Sequence, residues 1–291
     1  MAEREIAQRL FAKEFNGSTL SLTSVLSDDS SDMNSPNLLI SPTGMRINRV
    51  FVVGVITEVE NLGSETGKER DLWRARVSDP TGVFMLYAGQ YQPEAAIFLS
   101  TVEVPSYVAV VGKARIYEPE KDSVFISIRP EELNTVESTI RDRWVVDTAE
   151  LTLKRLDLLS EVLLDPKHGE DMAEPLKSGI IGSGSSEAIL DAIAFYGTDQ
   201  DYIAEFKQSL RTILLSIKEN AGTEMQRKDN TENVIFELLK ELDSGKGVKY
   251  SHLLKEVESR GIPEEVADAG IRSLLDKGEC YEPRLGLLKL I

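Results

Sequence analysis

Between Met45 and Arg129 the sequence carries five runs of strand-forming residues with one short helix among them, and this spacing restricts the fold more than any other feature. Met45–Glu58 is a long apolar run rich in β-branched residues (Val50, Val52, Val53, Val55, Ile56) with Gly54 at its middle. A glycine inside a long strand marks a bulge or a tight bend, as at a barrel corner. Leu72–Asp79 and Val83–Gly89 alternate apolar and polar residues around Asp79-Pro80-Thr81-Gly82 and predict a hairpin. Pro93–Leu99 follows as a short helix with proline in its first turn. Tyr107–Tyr117 and Ser123–Arg129 complete the set across the acidic turn EPEKD. Three strands, a helix and two more strands are the layout of an OB-fold barrel.

Alternation sorts the side chains of these strands. Trp73, Ala75 and Val77 share one face with Phe84, Leu86 and Ala88, and this face lines the barrel. The other face presents Arg74, Arg76, Met85 and Tyr87; Lys113, Arg115 and Tyr117 alternate in the fourth strand, and Phe125 and Arg129 keep phase in the fifth. Cations for phosphates and aromatic planes for bases are the mixture that holds a single nucleic-acid strand. The same arginines have a second reading, as partners of nearby acids.

Charge bears on the choice. The 291 residues carry a net charge of −16, which argues against a non-specific duplex binder. The acid is unevenly spread, however: residues 45–130 hold 10 Lys and Arg against 11 Asp and Glu. A locally cationic sheet face is compatible with that balance.

The flanks predict further modules, a multidomain α+β chain with five segments. Residues 1–44 hold a short amphipathic helix over 3–16 (Ile6, Leu10, Phe11, Phe15) and a Ser/Asp/Asn-rich linker, and 45–146 form the OB domain. A helix over about 148–164, within segment 147–165, carries Leu151, Leu156, Leu159, Val162 and Leu163 on an apolar arc wider than one barrel needs, which predicts a docking surface for a partner chain. Segment 166–229 joins a GSGSS linker, two helical pieces broken near Gly197, and a polar stretch over 220–230. The last segment, 230–291, reads as three helices and a hairpin around Pro283–Gly286, the winged-helix arrangement. It holds 9 Lys and Arg against 12 Asp and Glu, and its third helix, Pro263–Lys277, is acidic, so a protein partner is favoured over duplex DNA.

Chemistry-bearing motifs are sparse. GSGSS lacks the Lys-Ser/Thr ending of a phosphate loop. His168, His252 and the single cysteine, Cys280, offer no metal cluster, nucleophilic triad or disulfide. The expectation is a protein with no catalytic residue, cofactor or metal, without a membrane span, in a reducing cytoplasm and associated with the nucleoid.

Several blocks carry a resemblance: REIAQRLFAKEFN, SPTGMRINRVFVVGVITEVENLG, ARVSDPTGVFMLYAGQYQPEAA, VAVVGKARIYEP, SIRPEELNTV and RDRWVVDTAELTL. In this order, over about residues 1–165, they resemble the archaeal replication protein A-associated OB proteins, relatives of the middle subunit of replication protein A. GECYEPRLGLLKLI is similar, more loosely, to the winged-helix ending of that subunit and of archaeal replicative helicases. The resemblance implies a single-stranded DNA-binding subunit of a heteromeric replication protein A complex, acting in replication, repair and recombination. Its larger subunit would dock on helix 148–164, and replication or repair proteins on the winged helix. The strongly acidic balance keeps a second reading open, an adaptor whose OB fold mediates assembly without binding nucleic acid.

Overall fold

The computed structural model describes residues 6–22, 38–65, 72–120, 123–164 and 186–291. The linker expected over 22–37 and the GSGSS segment lie almost wholly outside these residues. The chain divides into two compact units, residues 1–214 and 215–291.

The centre of the first unit is a closed barrel of five strands: β4 (Arg49–Asn61), β5 (Trp73–Asp79), β6 (Gly82–Ala88), β7 (Ser106–Glu120) and β8 (Ser123–Thr135). Their order around the barrel is β4-β5-β6-β8-β7, with β7 closing on β4 and β6 meeting β8 in parallel through Leu86 and Ile128. Together with the helix between the third and fourth barrel strands, this is the OB-fold arrangement. The helix, Pro93–Thr101, buries Ala95 and Leu99. Ala75, Val77, Phe84, Leu86 and Ala88 fill the barrel, as alternation predicts, while Trp73 on the same face is half-buried.

Gly54 sits where β4 changes partners. Residues 49–56 of β4 pair with β7, and 55–61 pair with β5. A β-carbon at Gly54 would stand 2.4 Å from the Ser78 carbonyl oxygen, so only glycine lets the strands cross this closely. A bulge between Ile56 and Glu58 then re-phases the strand.

The N-terminal segment differs from the helix expected over 3–16. Among the described residues of that stretch only α1 (Ala12–Asn16) is helical. Gln8 instead bridges the start of β4, donating to the Arg49 carbonyl and accepting from the Phe51 amide, both at 2.8 Å. Here β4 extends beyond its pairing with β5, and Gln8 satisfies backbone groups of its uncovered edge. Asp79 of the hairpin turn anchors α1: its Oδ2 accepts the Ala12 amide at 2.7 Å, and its Oδ1 accepts the amides of Thr81 and Gly82 at 2.6 and 2.9 Å. Two-residue strands β1 (Leu20–Ser21), β2 (Leu39–Ile40) and β3 (Arg46–Ile47) form a small separate sheet.

The long helix after the barrel, Ser138–Leu164, starts ten residues earlier than expected, so Trp144 and Val145 belong to it and are buried. Trp144 donates to the Phe51 carbonyl at 3.1 Å and meets Phe11 edge-to-face at 5.6 Å. The arc expected to await a partner chain is covered by the chain's own first unit: Leu156 and Leu159 are fully buried and Val162 nearly so, with Leu151 and Leu163 half-buried. The wide arc does mark a surface that must be covered, and its cover is intramolecular. Ser160 donates to Gln200 at 3.1 Å and Lys207 to Asp157 at 2.6 Å, which ties this helix to the following helical segment.

Arg155 of the same helix closes a buried polar cluster. Its guanidinium donates to Glu14 at 2.8 Å, Thr152 at 3.0 Å and Thr43 at 3.2 Å. Glu14 also accepts from Ser41 at 2.9 Å and Thr43 at 2.5 Å, and is completely buried. Burial, and next the Glu14 charge, push the nearby Tyr202 phenol far above its usual range.

Gly197, at φ +64°, separates helix Ser186–Tyr196 from helix Gln200–Leu242. The latter runs unbroken through 220–230, which corrects the linker expected there. The boundary between units accordingly falls at 214/215 instead of 229/230. In the second unit the end of this helix packs with helices Tyr250–Ser259 and Glu264–Asp276 around Leu238, Leu253, Ile271 and Leu288. Strands Val248–Lys249, Leu287–Leu290 and Cys280–Arg284 form an antiparallel sheet with Leu287–Leu290 in the middle.

Candidate nucleic-acid interface

The outer face of the barrel brings together five of the eight residues expected from the sequence. Tyr87 on β6, Arg115 and Tyr117 on β7, and Phe125 and Arg129 on β8 line a groove of about 880 Å³. Register explains the meeting. Tyr117 stands directly opposite Phe125, Arg115 opposite Ser127, and the parallel β6–β8 contact carries Tyr87 to the same face. Tyr117 is 65% exposed and Phe125 60%, high values for rings on a folded sheet.

Arg115 and Arg129 have no carboxylate partner among the described residues. Partial burial, and then the like charge of Arg129, pull the Arg115 guanidinium below the usual arginine range. Two neighbouring cations that line one groove with exposed rings form a ready site for an anion joined to a flat apolar group.

The other three expected residues are placed differently. Arg74 and Arg76 on β5 stand opposite Glu60 and Glu58 on β4 and pair with them, Arg76 at 3.4 Å. Here the pairing with nearby acids prevails over free presentation. Lys113, opposite Arg129, lines neighbouring grooves with Glu94 and Glu131 and does not line the aromatic one. Tyr91, Gln92 and Arg129 line both the aromatic groove and one of these, so the two adjoin.

Tyr91 was not among the expected residues. It lies in the loop after β6, is 78% exposed, and lines the aromatic groove beside Gln92. Strand alternation assigns faces only inside strands, so a loop ring gives no periodic signal; its sequence mark is an aromatic flanked by glutamines in GQYQPE.

The described residues contain no group of three or more His, Cys, Asp or Glu arranged to hold a metal, and none of their helices is long and apolar enough to cross a membrane.

No protein-family model matches the chain, and no curated protein matches it in sequence. Solved structures align with parts of it. The second single-stranded DNA-binding protein of Mycobacterium smegmatis, at 15% identity and TM-score 0.24, covers 31% of this chain and 86% of its own. The mitochondrial single-stranded DNA-binding protein Rim1 of S. cerevisiae, at 18% identity and TM-score 0.25, covers 31% and 95%. Asparaginyl-tRNA synthetase of Pyrococcus horikoshii, at 10% identity and TM-score 0.28, covers 55% of this chain and 33% of its own.

Proposed function

We propose that the chain is a non-catalytic single-stranded DNA-binding protein whose OB barrel holds the strand in the groove between Tyr87, Tyr91, Tyr117 and Phe125. One observation carries this reading: Arg115 and Arg129 lie without acid partners among the described residues, beside exposed rings lining one groove. Phosphates neutralise the arginines while bases stack on the rings, each stack worth ~1–3 kcal/mol whatever the base. The sequence blocks that resemble archaeal replication protein A-associated proteins extend the proposal to a subunit of such a complex, working in replication, repair and recombination at the cytoplasmic nucleoid.

For the second unit we propose a winged helix that recruits protein. Two helices that follow a short strand and precede a hairpin, with that strand pairing onto the hairpin, support this reading. The cations at its third helix are engaged: Arg272 pairs with Asp268 at 2.8 Å, and Lys277 with Glu232. A duplex would therefore find little free positive charge there.

The test is fluorescence anisotropy with labelled oligo-dT at low salt. Tyr117→Ala with Phe125→Ala weakens binding by roughly a hundredfold or more if both rings stack, with thermal unfolding unchanged because both rings are exposed. Unchanged affinity would remove these rings from the site. No binding by the wild type, beside capture of a protein on the barrel, would favour the adaptor reading.

A further inference from the structure

The outer face holds its arginines in two states. On β7 and β8, Arg115 and Arg129 pair with no acid among the described residues. One strand pairing beyond Tyr87, on β5, Arg74 and Arg76 are each engaged by a carboxylate of β4. Arg74 stands directly opposite Tyr87, so the engaged arginines border the aromatic groove.

The backbone arranges this engagement. Ile56 of β4 points into the barrel and pairs with Val77. Strict alternation from Ile56 would send Glu58 inward as well. The bulge between Ile56 and Glu58 shifts the phase, so Val59 pairs with inward Ala75 while Glu58 and Glu60 come to the outside opposite Arg76 and Arg74. Both acids thus stand on the one sheet face that carries the groove.

We infer that Glu58 and Glu60 fence the groove: they hold Arg74 and Arg76 off a bound strand and so limit the phosphates it can neutralise. The inference rests on the reading of the groove as a single-strand site. A phosphate that reached Arg74 would have to displace Glu60 and would then face that carboxylate at close range, two like charges where one cation had served. The opposite end is bounded similarly. Past Arg129 the surface leads to Lys113, but Glu94 and Glu131 line the same grooves, and Glu131 already holds Arg49 at 2.6 Å. A strand on this face therefore meets cations only over a short central stretch, consistent with a strand-binding surface on so acidic a chain.

The experiment compares four full-length proteins by oligo-dT anisotropy over a salt series: wild type, E58Q/E60Q, the net-neutral E58Q/E60Q/R74Q/R76Q, and R115A/R129A. Freeing the two arginines in E58Q/E60Q tightens binding roughly tenfold at low salt and steepens the logarithmic salt slope by up to about 1.4, at about 0.7 per phosphate contact. The quadruple variant returns to within about twofold of wild type, since it removes arginines that were already neutralised. Single E58Q and E60Q variants each give part of the gain, so the result stands even if the double variant folds poorly.

Affinity and slope in E58Q/E60Q equal to wild type would overturn the fence. A quadruple variant as weak as R115A/R129A would do so too, because Arg74 and Arg76 would then contribute in the native protein. Retention of the full gain by the quadruple variant would show that charge removal alone, rather than released arginines, acts. Binding that needs Arg115 and Tyr117 yet ignores E58Q/E60Q sinks this inference alone; no binding by wild type or E58Q/E60Q sinks the groove reading with it.

Discussion

Arg155 and Arg115 belong to the same unit and show two opposite uses of one side chain. Arg155 is buried and donates to Glu14, Thr43 and Thr152, joining the helix after the barrel to α1 and to the turn before β3. Arg115 stands on the outer face with a second guanidinium as neighbour and no acid partner among the described residues. Taking a charge out of water is tolerated where it meets an opposite charge and further acceptors, as Arg155 meets Glu14, Thr43 and Thr152. At Arg115 the charge remains unmet, and a surface that leaves it so has not been optimised for stability alone. On the proposed function, the contrast separates a structural cation from a strand-binding one by its partners, where residue type and exposure alone would not.

The largest effect expected is therefore on the inside. Arg155→Met leaves the Glu14 carboxylate buried with only two hydroxyls for company, and breaking a buried pair this way costs about 3–5 kcal/mol. Urea unfolding followed by tryptophan fluorescence reads it, since Trp144 reports on the same helix. Glu14→Leu together with Arg155→Met recovers most of the loss, because an apolar pair leaves no orphaned charge. If the single change proves harmless, the cluster is not the clamp its geometry describes.

Outside, Arg115→Ala with Arg129→Ala leaves the unfolding midpoint in place or raises it slightly, since a like-charge repulsion is relieved. The same change lowers single-strand affinity by at least tenfold at low salt and flattens the salt slope by about 1.4, two contacts at about 0.7 each. A variant that loses stability and keeps affinity would reverse the comparison and assign the groove arginines a structural part.

The barrel was legible because period-two alternation and a mid-strand glycine report directly on local geometry: Gly54 and the Asp79–Gly82 turn fall where their chemistry requires. The alternating side chains of β5 to β8 were legible for the same reason. The partners of those side chains were not. That Glu60 faces Arg74 depends on a bulge two strand positions away, which no local pattern announces. Likewise the apolar arc of Leu156 and Leu159 states that something must cover it, but whether that cover comes from this chain or another is decided by tertiary folding. Residues 220–230 failed for a different reason: a polar, glycine-containing stretch loses little as helix when the segments on both sides are strongly helical. Gln8 pairs with β4 because that strand outruns its neighbour, a fact of sheet closure rather than of the N-terminal sequence.

The smallest effect distinguishes a third ionic environment, intermediate between the first two. Asp79 is partly buried under α1 and receives three amides and the Thr81 hydroxyl. Burial outweighs these donors and pushes its carboxyl above the ordinary aspartate range. The native state therefore holds this proton at pH values where the unfolded chain has already released it. The stability contributed by protonation at Asp79 is complete below the unfolded aspartate pKa and is lost as pH rises through the higher folded value. Asp79→Asn keeps an oxygen acceptor for the turn and removes the titration, so its stability changes less with pH across that acid window than the wild type's does. At most one proton is involved, which caps the difference in slope at about 1.4 kcal/mol per pH unit. Unfolding at a series of pH values from 3 to 6 measures it. Identical slopes in the two proteins would mean that the four hydrogen bonds offset burial and leave Asp79 at its unfolded pKa, and a wild-type stability that rises with pH relative to Asp79→Asn would mean that they override it.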